Sequence, residues 1–369
     1  MTKLCFVVPR TYIFFNENAK NSTDKVGGAQ KQIYKYSKEL AKQSNFDVNI
    51  SVADFGQNNL EKIDGVKLWN SFSFNDNKII GFNKLTKVLK KIDADFYLFH
   101  SADPAVYPVS FYIKKILKKK IIYMVAHDDE TNHTKLKENF NFSTAISMKF
   151  AFKLFDKITV QSIFQKEQLS LNRGIKKSHI LPYIFDVSKK EINYSDKKYI
   201  FWIGRGEKWK RPEIFIQMAK KYPDEQFVMV MPAEFGKEDY QRQIKKQLEN
   251  IENLKFINFL KPSEVNEYFF KSKLFLLTSE TEGFANTMME SMNGACPILS
   301  LKVNPDKIIT SNNIGLVANN KTGTFEQYFL ELLKNSELRK KMGENGRDYL
   351  LKYHQNNKVI AKFIDIIQK

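Results

Sequence analysis

The feature that most constrains the fold is an alternation of short apolar runs with longer segments of helical periodicity, and this series occurs twice. In the first half of the chain, six runs predict strands: LCFVVP, FDVNISV, DFYLFH, IIYMVA, DKITVQS and HILPYIF. In the second half, six further runs do the same: KYIFWIG, QFVMVMP, LKFINFL, KLFLLTS, CPILSL and IGLVAN. Strands that alternate with helices form parallel sheets covered on both faces, so the sequence predicts two doubly wound α/β domains.

A polar segment separates the two series. Residues 186–198, DVSKKEINYSDKK, have no apolar periodicity and are predicted to form a linker. We therefore expect one domain over residues 1–187 and a second over 188–350. A final helix over 351–369 is expected to pack back toward the first domain. Two such domains facing each other would place a cleft beside the carboxyl ends of both sheets, where ligands bind.

Composition narrows the class of protein. The apolar content of 43% is typical of a folded chain, and the net charge of +18 favours an anionic partner. Nucleic acid, an anionic membrane surface and a phosphorylated small molecule all fit this charge. Cys5 and Cys296 cannot form a disulfide framework, which indicates a reducing compartment. No signal-peptide pattern or membrane-spanning run is present, so a cytoplasmic location is predicted.

The segment TSETEGFANTMMESMNGACPILS, residues 278–300, carries the first candidate chemistry. Glu282 falls in the turn after a predicted strand, and a helix begins a few residues later. Unpaired amides and the helix dipole favour an anion there, and Gly283 allows close approach of its backbone. Glu290 follows on the helix, and ionised carboxylates accept hydrogen bonds from hydroxyl-rich ligands. The alternative is a pair of solvated surface glutamates.

A second segment, IFWIGRGEKWKRPEIF, runs from a predicted strand into a helix. Arg205 comes directly after Gly204 at the end of the strand, and Lys210 follows five residues later. Pro212 suits the first turn of the helix. Two cations at the carboxyl end of a strand can hold a diphosphate. The alternative is a solvated basic turn in a lysine-rich chain.

The combination resembles the GT-B glycosyltransferases, in particular the large retaining family 4. The family signature E-G-F-x-N-x-x-x-E matches Glu282 to Glu290, and the Gly-x-Pro strand that follows it is similar to GACPILS. The motif G-R-x-x-x-x-K matches Gly204, Arg205 and Lys210. An amino-terminal glycine pair matches Gly27 and Gly28, and a histidine after a strand of the first domain matches His127. The resemblance covers nearly the whole chain in order.

The resemblance implies a role for each matched residue. Arg205 and Lys210 would neutralise the diphosphate of the donor, which is also the leaving group. Glu290 would bind the ribose hydroxyls and Glu282 a hydroxyl of the donor sugar, while His127 would lie against the transferring sugar. The residues expected to bind the donor are Gly28, Gly204, Arg205, Lys210, Gly283, Phe284, Ala285, Asn286, Thr287 and Glu290. Those expected to be catalytic are His127, Glu282, Arg205 and Lys210.

The resemblance also implies the class of reaction. The protein would be a retaining, hexosyltransferase-type glycosyltransferase, with a nucleotide-diphosphate sugar as its donor and UDP-sugars favoured over GDP-sugars. It would need no cofactor and no metal. Two features depart from the family pattern near the expected base pocket, where only Gly236 remains of a glycine-rich turn and Leu260 replaces a glycine. Trp209 is a candidate stacking partner there, with ordinary packing as the alternative.

Other polar groups are assigned to structural roles. Asp93 and Asp95 form a D-x-D pair before a buried strand and are expected to be loop carboxylates. The run HDDETNH has no zinc-ligand spacing, so beyond His127 we expect loop residues, with Asp128 as a weaker site candidate. His100 ends a strand and is expected to be a satisfied structural histidine.

Three basic segments, residues 83–91, 111–120 and 148–157, interleave lysine with apolar side chains. They suit an anionic bilayer surface, and they suit ordinary helices with one core face equally well. Contact with the inner membrane would fit a glycan or lipid-linked glycan acceptor in bacterial cell-surface polysaccharide synthesis. The alternatives are a sugar-nucleotide epimerase of the same fold, a nucleic-acid binder, for which no motif is present, and a catalytically silent partner subunit.

Overall fold

The structure is a computed structural model and describes residues 1–16, 28–232 and 238–368. The chain divides into two compact units. The first contains Met1–Ile184 together with the segment that starts at Asn356, and the second contains Phe185–Gln355. In the described part of the chain, no helix is both long enough and apolar enough to cross a membrane.

The first unit contains one sheet in the order β3-β4-β2-β1-β5-β6-β7-β8. Every neighbouring pair is parallel except β3 and β4. Its strands are β1 Thr2–Val7, β2 Phe46–Val52, β3 Leu60–Ile63, β4 Val66–Asn70, β5 Phe96–His100, β6 Lys120–Met124, β7 Lys157–Val160 and β8 His179–Ile180. The helices that follow these strands are α1 Gly28–Ala41, α2 Lys78–Ile92, α3 Val106–Phe111, α4 His133–Asn139, α5 Phe142–Ala151 and α6 Ile163–Arg173.

The antiparallel pair at the edge of this sheet was not predicted. Asp64 and Gly65 join β3 to β4, and both have positive φ angles, of 50° and 82°. Two consecutive residues in the left-handed backbone conformation form the tight turn of a two-residue hairpin, because the twist of this turn matches that of the flanking strands. The hairpin adds two short strands to the expected parallel sheet and leaves its doubly wound character intact.

The second unit contains a six-stranded sheet in the order β11-β10-β9-β12-β13-β14, and all of its pairs are parallel. Its strands are β9 Tyr199–Ile203, β10 Gln226–Val230, β11 Leu254–Ile257, β12 Ser272–Leu277, β13 Ile298–Ser300 and β14 Gly315–Val317. Its helices are α7 Pro212–Lys221, α8 Glu238–Lys246, α9 Pro262–Phe270, α10 Asn286–Asn293, α11 Ile308–Ser311, α12 Thr322–Lys334 and α13 Ser336–Tyr353. The last helix of the chain, α14 Asn356–Gln368, belongs to the first unit.

Each face of the first sheet has its own core. Along β1, Leu4 and Phe6 pack with one buried cluster, while Cys5 and Val7 pack with another on the opposite face. Side chains therefore alternate between two covered faces, as a doubly wound sheet requires. The ring of Phe363 in α14 lies 5.8 Å from that of Tyr36 in α1, which places α14 in the first of these cores.

The two units meet in sequence at Ile184, three residues before the boundary expected from the linker. The Phe185 amide donates to the carbonyl of His354 at 2.9 Å, and the Ser188 amide donates to Asn293 Oδ1 at 2.8 Å. These hydrogen bonds tie the start of the polar segment to the second unit. Residues 351–355 also remain with that unit, because α13 continues to Tyr353.

In the second sheet, the strand order changes direction between β9 and β12. From β9 the chain first adds β10 and β11 on one side, and then returns to add β12 on the other. Crevices at the carboxyl ends of strands form at such a switch point and are the general ligand sites of open parallel sheets. The loops after β9 and β12 are therefore the first place to look for a site.

Candidate functional site

The loops after β9 and β12 are joined by a chain of hydrogen bonds. Trp202 Nε1 donates to Thr278 Oγ1 at 2.8 Å, and this hydroxyl donates to the carbonyl of Lys210 at 2.6 Å. The Glu280 amide donates to the carbonyl of Trp209 at 2.9 Å. Thr278 and Glu280, which follow the apolar strand β12, thus hold the basic loop after β9 beside the acidic loop after β12.

Lys210 and Glu282 form an ion pair across these two loops. Their side chains are only 14% and 10% exposed, so both charges are largely withdrawn from water. Ser279 Oγ donates to Glu282 Oε1 at 2.9 Å and fixes the carboxylate. The Lys210 ammonium also lies 4.3 Å from the centroid of the Trp209 ring, an attractive cation–π distance. The structure thus brings two predicted site residues together and places Trp209 against the lysine.

Gly204 and Arg205 precede this pair. The Gly204 amide donates to the carbonyl of Val230 in the next strand at 3.1 Å. An added Cβ at Gly204 would lie 3.0 Å from the Trp202 ring and 3.5 Å from Lys210 Cδ. The absence of a side chain therefore lets the lysine cross over the backbone. Arg205 has an exposed side chain at the same carboxyl end of β9.

The turn after Glu282 leads into α10, whose N-cap is Ala285. Alanine has no side-chain acceptor for the first amides of the helix, in contrast to the usual capping residues. The amides of Asn286 and Thr287 therefore belong to a helix start that favours an anion. Gly283 is partly exposed in the preceding turn.

Phe284 and Glu290 are both buried on this element. The Phe284 ring stacks on His354 with a centroid distance of 4.9 Å and an interplanar angle of 9°. Its side chain anchors the turn, which leaves its backbone as the part that can contact a ligand. Glu290 is 5% exposed. An added Cβ at Gly343 in α13 would overlap the carbonyl of Ala295, two residues after the end of α10, and one at Gly346 would lie 3.3 Å from Met292 Cα within α10. The two helices therefore pack at backbone distance, which fixes the position of Glu290.

Two predicted site residues, Gly28 and His127, lie in the first unit. Gly28 is exposed at the first position of α1. Its predicted partner Gly27 lies outside the described residues, as does Gly236 of the departing turn. The structure therefore describes the helix start at Gly28 and not the glycine pair.

His127 follows β6 and is the N-cap of a short 3-10 turn over Asp128–Thr131. Its Nδ1 lies 3.2 Å from the Asp129 amide and 3.3 Å from Asp129 Oδ2. A neutral imidazole accepts from the amide, whereas a protonated one donates to the carboxylate. Burial lowers the pKa of His127, but the hydrogen bond that the protonated ring donates to the Asp129 carboxylate and the charges of Asp129, Glu130 and Asp128 outweigh it and raise that pKa.

Asp129 and Glu130 were expected to be loop residues, but both are buried in the 3-10 turn and accept hydrogen bonds. Glu130 is fully buried and accepts from the Tyr123 hydroxyl at 2.7 Å and from the Ala126 amide at 3.2 Å. Asp129 is 5% exposed and accepts from Asn139 Nδ2 at 2.8 Å. Burial raises the pKa of Glu130. The signal in the sequence was the run of seven polar residues HDDETNH, which begins three residues after the end of the buried strand β6.

Asp128 follows His127, and His100 ends β5; each makes a hydrogen bond of its own. Gln165 Nε2 donates to Asp128 Oδ1 at 2.9 Å, and burial raises the pKa of this carboxyl. His100 Nδ1 donates to the carbonyl of Met124 at 2.8 Å. Its Nε2 is buried and has no hydrogen-bond partner among the described residues, so His100 is only half satisfied. Burial lowers the pKa of His100 to about 4.

The D-x-D pair has a structural role. Asp93 is the left-handed C-cap of α2 and pairs with Lys119 at 3.0 Å. Asp95 Oδ2 accepts from the Lys3 amide at 2.8 Å. Within the described ranges, no three histidine, cysteine or acidic side chains come close enough together to hold a metal ion.

Comparison of the sequence finds a family match in the carboxyl-terminal part of the chain. Residues 184–349 match the model of the family described as "Glycosyl transferases group 1". The chain is 30% identical over 209 residues to an uncharacterized glycosyltransferase of Methanocaldococcus jannaschii, a match that covers 56% of this chain and 57% of that relative. It is 24% identical over 299 residues to the alpha-galactosylglucosyldiacylglycerol synthase of Streptococcus pneumoniae, covering 75% of this chain and 78% of the synthase.

Comparison of the structure extends the likeness to the whole chain. TarM from S. aureus, solved in a complex that contains UDP and alpha-GlcNAc-glycerol, superposes with a TM-score of 0.76. The superposition covers 100% of both chains at 14% sequence identity, a level that shows the fold alone. The chain therefore has the GT-B fold, and its residues 184–349 match the group 1 glycosyl transferases.

Proposed function

We propose that the protein is a retaining, hexosyltransferase-type glycosyltransferase of family 4. It would move a sugar from a nucleotide-diphosphate sugar to a glycan or lipid-linked glycan acceptor. The observation that carries the proposal is the buried pair of Lys210 and Glu282 at the switch point of the second sheet. The start of α10, whose N-cap Ala285 provides no side-chain hydrogen bond, and the buried Glu290 lie on the element that follows Glu282.

The pair supplies both kinds of contact that a sugar nucleotide needs. A diphosphate offers Lys210 a doubly charged partner in place of Glu282, and Arg205 adds a second cation. Release from Lys210 leaves the Glu282 carboxylate able to accept a hydrogen bond from a sugar hydroxyl. Ser279 keeps the carboxylate in place during this exchange. Glu290 would accept from the ribose hydroxyls.

Transfer itself concentrates negative charge on the departing diphosphate. Fixed cations and helix amides stabilise that charge more in the transition state than in the ground state. Arg205, Lys210 and the amides from Gly283 to Thr287 would do this in place of a metal. His127 would lie against the transferring sugar, with Asp129 holding its Nδ1. The proposal includes no nucleophilic side chain for the retaining step.

We propose a UDP-sugar donor, since the similar TarM structure contains UDP. A lipid-linked acceptor is supported by the streptococcal relative, whose name describes a synthase of a glycosylated diacylglycerol. The synthesis of a bacterial cell-surface glycan at the inner face of the membrane would combine these features.

The test is a thermal-shift screen of the purified protein against UDP, GDP, ADP, CMP and their common sugar conjugates. Each ligand is used without metal and again with EDTA. A ligand that binds only the folded state raises the melting temperature by mass action. We expect a clear shift with UDP and UDP-sugars in EDTA. No shift with any nucleotide would contradict the proposal, and interconversion of two UDP-sugars without an acceptor would identify an epimerase instead.

A further inference from the structure

The outward face of α5 carries large apolar side chains. Phe142, Ile146 and Phe150 follow one another at four-residue spacing and are 63%, 39% and 42% exposed. The inward face of the same helix includes small residues such as Ala145 and Ala151, both fully buried. An ordinary surface helix has its large apolar residues inside and its polar ones outside. Helix α5 therefore has more apolar bulk outside than its packing in the first unit requires.

The apolar surface continues onto α3 and the turn that follows it. Phe111 and Ile116 are 45% and 62% exposed. The Tyr107 ring lies 6.2 Å from that of Phe111 and 5.5 Å from that of Phe150, which joins the two helices at the surface. We call this surface the α3–α5 face, made of Phe111, Ile116, Phe142, Ile146 and Phe150.

The segments that carry the α3–α5 face are strongly basic. Residues 103–120 and 133–156 contain nine lysines and three acidic residues, Asp103, Glu138 and Asp156. Asp156 pairs with Lys114 at 2.5 Å, so the surplus of positive charge lies with the other lysines. Lys115, Lys149 and Lys153 are exposed on the segments that carry the apolar side chains. The Lys137 ammonium lies 5.6 Å from the centroid of the Phe142 ring. The face therefore combines aromatic and aliphatic side chains with a surplus of flexible positive charge.

We propose that the α3–α5 face docks on the surface of an anionic lipid bilayer. Its apolar side chains would enter the boundary between headgroups and acyl chains, and its lysines would contact lipid phosphates. Lysine is depleted in protein–protein interfaces, so this composition favours lipid over a protein partner. The exposed phenylalanines distinguish the face from a purely electrostatic surface for nucleic acid.

The α3–α5 face also lies close to the candidate site of the first unit. Phe140, at the end of α4, places its ring 6.2 Å from the imidazole of His127. Helix α4 in turn packs against α5. A lipid-linked acceptor anchored at this face would therefore reach the region of His127 without leaving the bilayer surface. This last step rests on the proposed function, whereas docking itself does not.

The experiment is sedimentation of the full-length protein with vesicles of phosphatidylcholine, alone or mixed with phosphatidylglycerol. An apolar variant combines Phe142→Ser, Ile146→Ser and Phe150→Ser, and a charge variant combines Lys115→Gln, Lys149→Gln and Lys153→Gln. Leu171→Ser is the matched control, because Leu171 is 77% exposed on α6, outside the face. Circular dichroism and UDP binding verify that each variant is folded.

We expect the wild-type protein and Leu171→Ser to bind the anionic vesicles, and raised salt to weaken that binding. Each triple variant should bind about tenfold more weakly, since apolar insertion and charge both contribute. Three results would overturn the proposal: no vesicle binding, equal binding to neutral vesicles, or wild-type binding by the apolar variant. Concentration-dependent dimers that the apolar variant abolishes, without vesicle binding, would identify an interface between copies. Because UDP binding is measured separately, failure of docking leaves the proposed function intact.

Discussion

The ammonium group of Lys210 donates a hydrogen bond to the carboxylate of Glu282, 72 positions later in the chain. The two residues come from loops that follow different strands, and the turn at Thr278 joins these loops through hydrogen bonds. Each side chain is the other's charged partner in a poorly hydrated place. A cation and an anion thus lie side by side at the carboxyl ends of β9 and β12, which is the proposed position of the sugar nucleotide.

Replacing Glu282 with glutamine should reduce turnover more than binding. The amide keeps the shape of the side chain but removes its charge and part of its capacity to accept hydrogen bonds. We expect kcat to fall by roughly a hundredfold, because one preorganised polar contact to the transition state is lost, with a small change in KM for the donor. Steady-state kinetics with the donor identified by the thermal-shift screen would measure both constants.

Glu280→Gln is the matched control, because Glu280 is exposed on the same loop. It should retain the wild-type kcat and KM. If Glu282→Gln and Glu280→Gln behave alike, Glu282 has no role in turnover and its assignment is wrong.

The contact between α10 and α13 should be sensitive to a single methyl group. An added Cβ at Gly343 would overlap the backbone of Ala295, and the backbone cannot move without displacing α10. We expect Gly343→Ala to lower the free energy of unfolding by about 2–3 kcal/mol, as overpacking does. Because α10 carries Glu290, nucleotide affinity should fall as well.

Gly323→Ala in α12 is the control for this substitution. An added Cβ there has no neighbour within 4 Å, and alanine favours helix. Its free energy of unfolding should change by less than about 1 kcal/mol. Urea denaturation of both variants tests the prediction, and equal stability of the two would show that Gly343 and Ala295 are not in backbone contact.

His100 should make the stability of the first unit dependent on pH. Its pKa in the folded protein is about 4, below its ordinary value of 6.5, because burial disfavours the charged ring. The unfolded chain therefore binds a proton first as the pH falls. Stability from the neutral ring is fully present above pH 6.5 and is lost progressively between pH 6.5 and pH 4.

His100→Asn should remove this dependence, because its amide can still donate to the carbonyl of Met124 and does not titrate. We expect the loss of stability from pH 7 to pH 4 to be smaller in the variant by on the order of 3 kcal/mol. Chemical denaturation at several pH values would measure it. Parallel stability curves for the variant and the wild type would contradict the assignment.

Much of the fold could be predicted because apolar runs and helix starts are local signals. The predicted doubly wound sheets are confirmed, and Pro212 does begin a helix after the basic loop. The hairpin of β3 and β4 was missed, although Asp64 and Gly65 form a favoured turn pair. The run LEKI, which precedes this turn and forms β3, has two charged residues in four. Such a composition does not predict a strand.

The partners of the candidate site residues could not be predicted in the same way. Lys210 and Glu282 pair because β9 and β12 are neighbours in the sheet. The order of the strands cannot be read from the spacing of residues along the chain. Burial of Asp129 and Glu130 depends on residues as distant as Tyr123 and Asn139. The assignment of these groups to a sugar-nucleotide site remains a prediction.

The central claim is tested most directly by isothermal titration of UDP, in the presence of EDTA, into the wild-type protein, Lys210→Ala and Lys208→Ala. Lys208 is an exposed lysine on the same short turn and serves as the control. We predict that Lys210→Ala binds UDP at least about tenfold more weakly, since a charge-assisted contact to phosphate is lost, while Lys208→Ala binds like the wild type. Equal affinities for all three proteins, or no binding of UDP by any of them, would contradict the account.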